Sequence, residues 1–277
     1  MKINFTKMQG LGNDFMVIDA INQSISLSSV QIQKLSDRHF GIGFDQLLLV
    51  ETAEDNKHDF KYRIFNADGS EVEQCGNGAR CFARFVIEKK LTAKKSGDVI
   101  LVETKEHVIE LKVDGNMVLV DMGKPVWHSQ DIPFKQIENS NATYIVEGKK
   151  VGVVSMGNPH AVLIVDNINQ DIETIAKKIQ SSADFPAGVN VNFVEIIDKF
   201  HIKLRVYERG VGETLACGSG ACATVAYLNK IGKVADTNTK YIIVKLQGGE
   251  LIVAFDNSKN IVMGGPAEFV FEGQIEI

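Results

Sequence analysis

The chain has 277 residues, 44% of them hydrophobic and 23% charged, with 30 basic against 35 acidic residues and a formal net charge of −5. That length holds one large domain or two ordinary ones and buries a core without disulfide or metal staples, while the acidic balance disfavours a general nucleic-acid binder. No apolar run exceeds five residues and the N-terminus has no apolar signal core, so a cytoplasmic protein with no membrane partner is expected. In chain order, short β-branched runs bounded by Gly, Asn or Asp predict strands over Phe15–Asp19, Leu47–Glu51 and Phe60–Phe65, with a short helix over Val30–Arg38. After Cys75, apolar Ala79, Phe82, Ala83, Val86 and Ile87 fall at helical spacing. Strands over His107–Val113 and Met117–Asp121 follow, and a weak boundary lies near Gly123–Pro125. Beyond it the pattern predicts strands Ala161–Val165, Phe193–Ile197 and His201–Val206, with a helix over Ile172–Ser181. A second helix after Cys217 carries Ala221, Val225 and Leu228, with Gly232 as its stop, before strands Tyr241–Leu246 and Leu251–Phe255. Residues 267–277 come after this second set is complete and form a strand free to return to the first half.

The sequence repeats itself once. YRIFNADGSEVEQCGNGA (62–79) lies over LRVYERGVGETLACGSGA (204–221) at an offset of 142 residues. This matches Arg63 with Arg205, Glu71 with Glu213, Cys75 with Cys217, Gly76 with Gly218 and Gly78 with Gly220. Gly12-Asn13 matches Gly157-Asn158, Gln46 matches Asn190, and Met122–Pro125 matches Met263–Pro266, all in the same order. A period this long marks a duplicated domain rather than a solenoid.

The four cysteines are Cys75, Cys81, Cys217 and Cys222. In a cytosolic chain of this size they are expected as thiols. Cys81 and Cys222 lie inside their helices and read as small buried hydrophobes. Cys75 and Cys217 each open a helix in a Cys-Gly-x-Gly frame. A helix start presents unpaired N–H groups and a positive dipole end, which binds a carboxylate and favours a thiolate. The glycines are expected to let a ligand approach the backbone. Two such units suit removal of a proton from one face of a carbon and delivery to the other. The C-x5-C and C-x4-C spacings do not fit structural zinc, C-x-x-C is absent, and no nucleotide-binding glycine motif is present. No motif asks for a cofactor. His39, His58, His107, His128 and His201 read as structural or surface residues.

GLGNDF (10–15), GFDQ (43–46), FNADGSEVEQCGNGARC (65–81), SMGNPH (155–160), YERG (207–210) and ACGSGAC (216–222) together resemble the diaminopimelate epimerase family over nearly the whole chain. Leu215-Ala216 departs locally from the Gln-Ala expected before the second cysteine and leaves Cys217 and Gly218 intact. The resemblance implies an α/β (α+β) fold of two pseudo-symmetric domains, 1–122 with 265–277 and 123–264. Each would be a curved, mostly antiparallel, barrel-like sheet around a central helix, with the active site in the cleft between them. It implies interconversion of LL- and meso-diaminopimelate without pyridoxal phosphate or metal, and a homodimer is expected. By position, Cys75 and Cys217 are the two acid/base groups. Backbone N–H groups of Gly76-Asn77 and Gly218-Ser219 hold the reacting carboxylate. Asn13, Gln46, Asn66, Asn158 and Asn190 give uncharged hydrogen bonds to the substrate. Arg209 pairs with the distal carboxylate, and Glu208 and His160 lie near the reacting ammonium and the thiols. Two alternatives stay open at this point: an isomerase for another substrate, such as a proline-like acid, and a thiol-switch binding protein.

Overall fold

The computed structural model describes residues 2–72, 75–105, 107–137, 139–236 and 240–277; Glu73 and Gln74 of the repeated segment lie outside the described residues. The chain divides into two compact units, Met1–Asp121 with Gly264–Ile277, and Met122–Met263.

The first unit begins with β1 (Lys2–Gly10), β2 (Asn13–Asp19), α1 (Ser29–Ser36), β3 (Gln46–Glu51), β4 (Phe60–Asn66) and β5 (Glu71–Val72). It continues with α2 (Gly76–Glu88), β6 (Val99–Glu103), β7 (Val108–Asp114) and β8 (Met117–Asp121). The second unit holds β9 (Thr143–Val146), β10 (Lys149–Ser155), β11 (Pro159–Ile164), α3 (Glu173–Gln180), β12 (Asn190–Ile196) and β13 (His201–Glu208). After these come β14 (Gly212–Thr214), α4 (Gly218–Lys230), β15 (Ile242–Leu246), β16 (Gly249–Phe255) and β17 (Ile261–Pro266). The last strand, β18 (Glu268–Glu276), pairs antiparallel with β1.

Both units follow one wiring. In the first, β1–β2 and β3–β4 are antiparallel pairs joined by the parallel pair β2–β3. β4 then pairs antiparallel with the short β5 and parallel with β6, which leads into the β6–β7–β8 meander. In the second, β10–β11, β12–β13 and β15–β16 are antiparallel, and β11–β12 and β13–β15 are parallel. Here β9 stands beside β10 as β18 stands beside β1. The mixed pairing is what a repeated strand–crossover–strand unit requires, since a parallel neighbour needs a crossover.

Each sheet is covered on both faces. Helix α2 packs against β1, β2 and β3 and also against β7 and β8, so the first sheet curls round it. Nine of its thirteen residues are buried, including Phe82, Phe85 and Arg80, far more than one amphipathic stripe. Helix α4 is buried over ten of its thirteen residues and packs against β10, β11, β12 and β16. The opposite faces are closed by α1 and α3, through Ile32 and Leu35 in one unit and Ala176 and Ile179 in the other. Strands β3 and β12 are therefore buried along almost their whole length. A Ser28–Gln31 capping box starts α1 one residue before the sequence expectation and Asp37 caps it two residues short, while Ile172 and Ser181 flank α3 as caps and trim it by one residue at each end.

Candidate active site

In each unit one edge of the sheet meets the start of the central helix. Cys75 is the N-cap of α2 and Cys217 the N-cap of α4, both in extended backbone. The strand ends at the same edge bring in the polar residues. The turns before β2 and β11 need left-handed backbone, which Gly12 (φ +85°) and Gly157 (φ +87°) supply, and Asn13 and Asn158 follow them. Gln46 opens β3 beside Asn66 at the end of β4, and Asn190 opens β12 beside His160.

The hairpin that leads to each cysteine is held by a repeated ion pair. Arg63 donates to both carboxylate oxygens of Glu71 at 2.8 and 2.9 Å, and Arg205 to both of Glu213 at 2.6 and 2.8 Å. The repeat in the sequence marked these four positions without giving them a task. Their task is to fix β4 against β5 and β13 against β14 by a two-pronged, charge-assisted contact.

The second glycine of Cys-Gly-x-Gly faces the sheet rather than a ligand, which corrects the sequence expectation for that position. A Cβ at Gly78 would lie 2.5 Å from the Tyr62 hydroxyl, and one at Gly220 would lie 3.0 Å from Val206 Cγ2 and 3.2 Å from Cys217 Sγ. These glycines let the helix start press onto the strand beneath it. The Tyr62 hydroxyl is buried there with no hydrogen-bond partner among the described residues. Burial pushes its pKa well up, with the nearby Cys75 and Cys81 acting in the same direction.

In the first unit the Cys75 thiol donates to Asn13 Oδ1 at 3.8 Å. The same oxygen accepts from Asn77 Nδ2 at 3.2 Å, and Asn77 Oδ1 accepts from Arg80 Nη1 at 3.0 Å. Arg80 is 0% exposed and its Nε donates to the Pro266 carbonyl at 3.1 Å. Asn13 is also held through Nδ2 by Asp45, and Gln46 Nε2 donates to Asn66 Oδ1 at 3.0 Å. Asp14, next to Asn13, is anchored by Lys7 and Arg38. Burial alone would raise its pKa, but hydrogen bonds from Arg38 and Lys7 hold it at about 2. Burial pushes the Cys81 thiol up to about 12, as befits a packing residue.

The second unit builds the same corner with different groups. Cys217 Sγ accepts from the Gly220 N–H at 3.4 Å and lies 3.6 Å from Ser219 Oγ. Ser219 occupies the place of Asn77 in the repeat and is too short to reach Asn158. His160, fully buried, fills the gap, with Nε2 3.1 Å from Ser219 Oγ and 3.0 Å from Asn158 Oδ1. Its Nδ1 lies 3.1 Å from Asn192 Oδ1. Asn192 Nδ2 donates to the Gly220 carbonyl and to Thr224 Oγ1, which fixes its oxygen toward the imidazole. Burial lowers the His160 pKa to about 4; the Asn192 bond opposes this and the Arg209 charge adds to it. The imidazole is therefore neutral near pH 7, with Nε2 facing both the Ser219 hydroxyl and the Asn158 oxygen.

Arg209 is exposed, with its backbone N–H on Asn190 Oδ1 (2.9 Å) and its Nη1 on the Ala187 carbonyl (2.6 Å). Glu208 accepts from Thr214 Oγ1 at 2.6 Å. The structure thus gathers Asn13, Gln46, Asn66, Cys75, Gly76 and Asn77 at one helix start. It gathers Asn158, His160, Asn190, Glu208, Arg209, Cys217, Gly218 and Ser219 at the other. Sequence reasoning missed Arg80 and Asn192, which stand among other polar residues of α2 and β12. The described residues hold one group with metal-ligand character, Asp55, His58 and Glu103 in the first unit. There His58 Nδ1 faces both carboxylates at 2.8 and 2.9 Å, and Asp55 also caps the loop amides of Lys57 and His58, so the cluster is a hydrogen-bonded turn.

The profile of the diaminopimelate epimerase family matches residues 5–128 and 152–270. The chain is 50% identical over 279 residues to a diaminopimelate epimerase from Vesicomyosocius okutanii, covering 100% of both chains. The chain belongs to the diaminopimelate epimerase family. It is an isomerase, and the resemblance drawn from the motifs holds along its whole length. A diaminopimelate epimerase from Acinetobacter baylyi is 49% identical over 284 residues, covering 100% of this enzyme and 98% of the relative. Among solved structures, a PhzF-family phenazine biosynthesis protein from Bacillus anthracis is similar with TM-score 0.71 at 19% identity, covering 100% of both chains. A hydroxyproline epimerase from Agrobacterium vitis is similar with TM-score 0.67 at 14% identity, covering 99% of the enzyme and 91% of that chain. At such identities these two share its fold.

Proposed function

We propose that the enzyme interconverts LL- and meso-diaminopimelate by passing the α-proton between two cysteines, with no cofactor in the reaction. The observation that carries this reading is the unequal bonding of two equivalent N-caps: Cys75 donates to Asn13 Oδ1, whereas Cys217 accepts from the Gly220 N–H. One arrangement suits a thiol and the other a thiolate.

In this state the Cys217 sulfur takes the proton from the substrate α-carbon. The C–H electron pair passes into the adjacent carboxylate, whose developing charge is met by the N–H groups at Gly76-Asn77 and Gly218-Ser219. The Cys75 thiol then returns a proton to the opposite face, which leaves the two sulfurs with exchanged protonation and the α-carbon inverted. The reading requires both helix starts to serve one substrate carbon. Asn13, Gln46, Asn66, Asn158 and Asn190 orient the reacting amino acid through neutral hydrogen bonds, and Arg209 takes the distal carboxylate in its planar fork. Glu208 lies by the ammonium. His160 supports this corner by holding Ser219 beside Cys217.

The same reading places the enzyme in the cytoplasm, in lysine and peptidoglycan precursor synthesis, as a homodimer. No helix among the described residues is long and apolar enough to cross a membrane. Exposed Phe269, Val270 and Phe271 on β18 offer an apolar strand to a second copy. Incubating the reduced protein with LL-diaminopimelate in deuterated water tests the chemistry. Meso product carrying deuterium at one α-carbon is expected; absence of both product and label overturns the reading.

A further inference from the structure

The second unit has a pocket at the far end of α4 from Cys217. Across β9, β10 and β11, Gly152 stands between Thr143 and Val162 in register. Their neighbours Val151, Val153, Ala161 and Leu163 point into the α3 side of the core. Gly152 and Val162 therefore face α4. The Tyr227 ring lies directly on Gly152, where a Cβ would meet three of its ring atoms at 2.4–2.5 Å. Its hydroxyl meets Thr143 Oγ1 at 2.9 Å. Helix α4 ends three residues later at Lys230, while β11 runs on to Ile164, which is 42% exposed. The uncovered sheet surface is the floor of a 440 Å³ pocket.

The lining is one-sided in charge. Lys150, Lys230 and Lys233 border the pocket and no Asp or Glu does. Among the described residues these three lysines make no ion pair, although the chain carries 35 acidic residues against 30 basic ones. Lys230 Nζ sits 4.6 Å from the centroid of the Trp127 ring, the single tryptophan of the chain. Three lysines border an apolar floor of Val162, Ile164 and Ile231, with a hydroxyl pair at one wall. Such a site has the volume and mixed lining of a small-molecule pocket.

We propose that this pocket binds a small organic carboxylate with a compact apolar body. The carboxylate would sit among the lysines and the hydrocarbon on Val162 and Ile164. The site stands apart from the reaction chemistry and does not depend on it. The test uses the reduced full chain and cyclohexanecarboxylate, which is transparent where Trp127 is excited. Saturable one-to-one binding is expected by calorimetry, with a matching change in Trp127 emission. Cyclohexanecarboxamide, without the charge, and acetate, without the ring, should each bind at least tenfold more weakly. The triple variant Lys150→Gln, Lys230→Gln, Lys233→Gln should lose at least tenfold in affinity, with its thermal midpoint and epimerase activity retained. Absence of a saturable Trp127 response overturns the proposal. So does equal binding of the amide, or affinity unchanged in the triple variant, which would place the carboxylate elsewhere.

Discussion

His160 gives the most exposed test of the second half-site, because its neutrality follows from burial and is measurable as stability. Its ordinary pKa of 6.5 falls to about 4 in the fold. The sign follows from proton counting. Between pH 6.5 and 4 the unfolded chain binds a proton at this position that the folded chain refuses, so stability rises with pH across that window and is lost as pH falls. At 1.36 kcal/mol per tenfold change in proton affinity, the loss is about 2 kcal/mol by pH 5 and about 3 kcal/mol near pH 4. His160→Gln keeps an uncharged hydrogen-bonding group in the cavity and removes the titration. Urea unfolding of both proteins at pH 7.5, 6 and 5 separates the contribution: the variant starts less stable, but the wild type should lose about 2 kcal/mol more than the variant between pH 7.5 and 5. Carbon-detected titration of the His160 ring gives a second reading. A ring that titrates near 6.5, or equal losses in the two proteins, would refute both the burial argument and the neutral imidazole beside Ser219.

Cys75→Ser and Cys217→Ser should each lower turnover by at least about 10²-fold, the low end for a positioned acid/base group, with far-ultraviolet dichroism unchanged. Gly78→Ala should cost about 1–3 kcal/mol in urea unfolding, since its Cβ meets the Tyr62 hydroxyl at 2.5 Å; adding Tyr62→Phe should recover part of it. Gly220→Ala meets softer side-chain atoms at 3.0–3.3 Å, among them the Cys217 sulfur, and should lower turnover more than stability. Arg209→Met should weaken diaminopimelate binding by about 2–5 kcal/mol, read from kcat/KM, if the guanidinium takes the distal carboxylate.

Most strands could be read from the sequence because β-branched runs such as Leu47–Glu51 end at residues that stop pairing, and the structure has them within one to three residues. Strands β1, β5, β6, β9, β10, β14 and β17 were missed, β1 and β10 for a physical reason. In β1, Lys7 interrupts the apolar pattern yet is buried, because Asp14 neutralises it from β2. In β10, Lys149, Lys150 and Gly152 hide a strand whose glycine is needed by the Tyr227 ring. The helix starts were legible through the cysteine–glycine repeat, since an N-cap and a close helix–strand approach are local demands. The groups behind them were not, because Arg80 and Asn192 stand among other polar residues and reach Pro266 and Thr224 only when distant segments meet.

Duplication and divergence act on different layers of this protein. The repeat preserves what the backbone needs: the cysteine N-cap, the packing glycine, the left-handed glycine before the asparagine, and the arginine–glutamate pair under the hairpin. What lies against each thiol has diverged. In the first unit Asn77 reaches Asn13 directly and is backed by the buried cation Arg80; at the matching places the second unit has Ser219 and Cys222, and His160 spans the shortened gap to Asn158. Two identical corners would give their sulfurs equal proton affinity, and on the two-thiol reading a tie leaves many molecules with both thiols protonated or both ionised, neither of which can move a proton across a carbon. A buried cation behind Asn77 on one side and a neutral imidazole behind Ser219 on the other make the two surroundings unequal while the helix starts stay alike. The same reasoning makes Arg80 and His160 a pair to be varied together: exchanging either one's character should shift the pH at which the enzyme works, and an unmoved pH profile in both variants would leave the divergence without a chemical role.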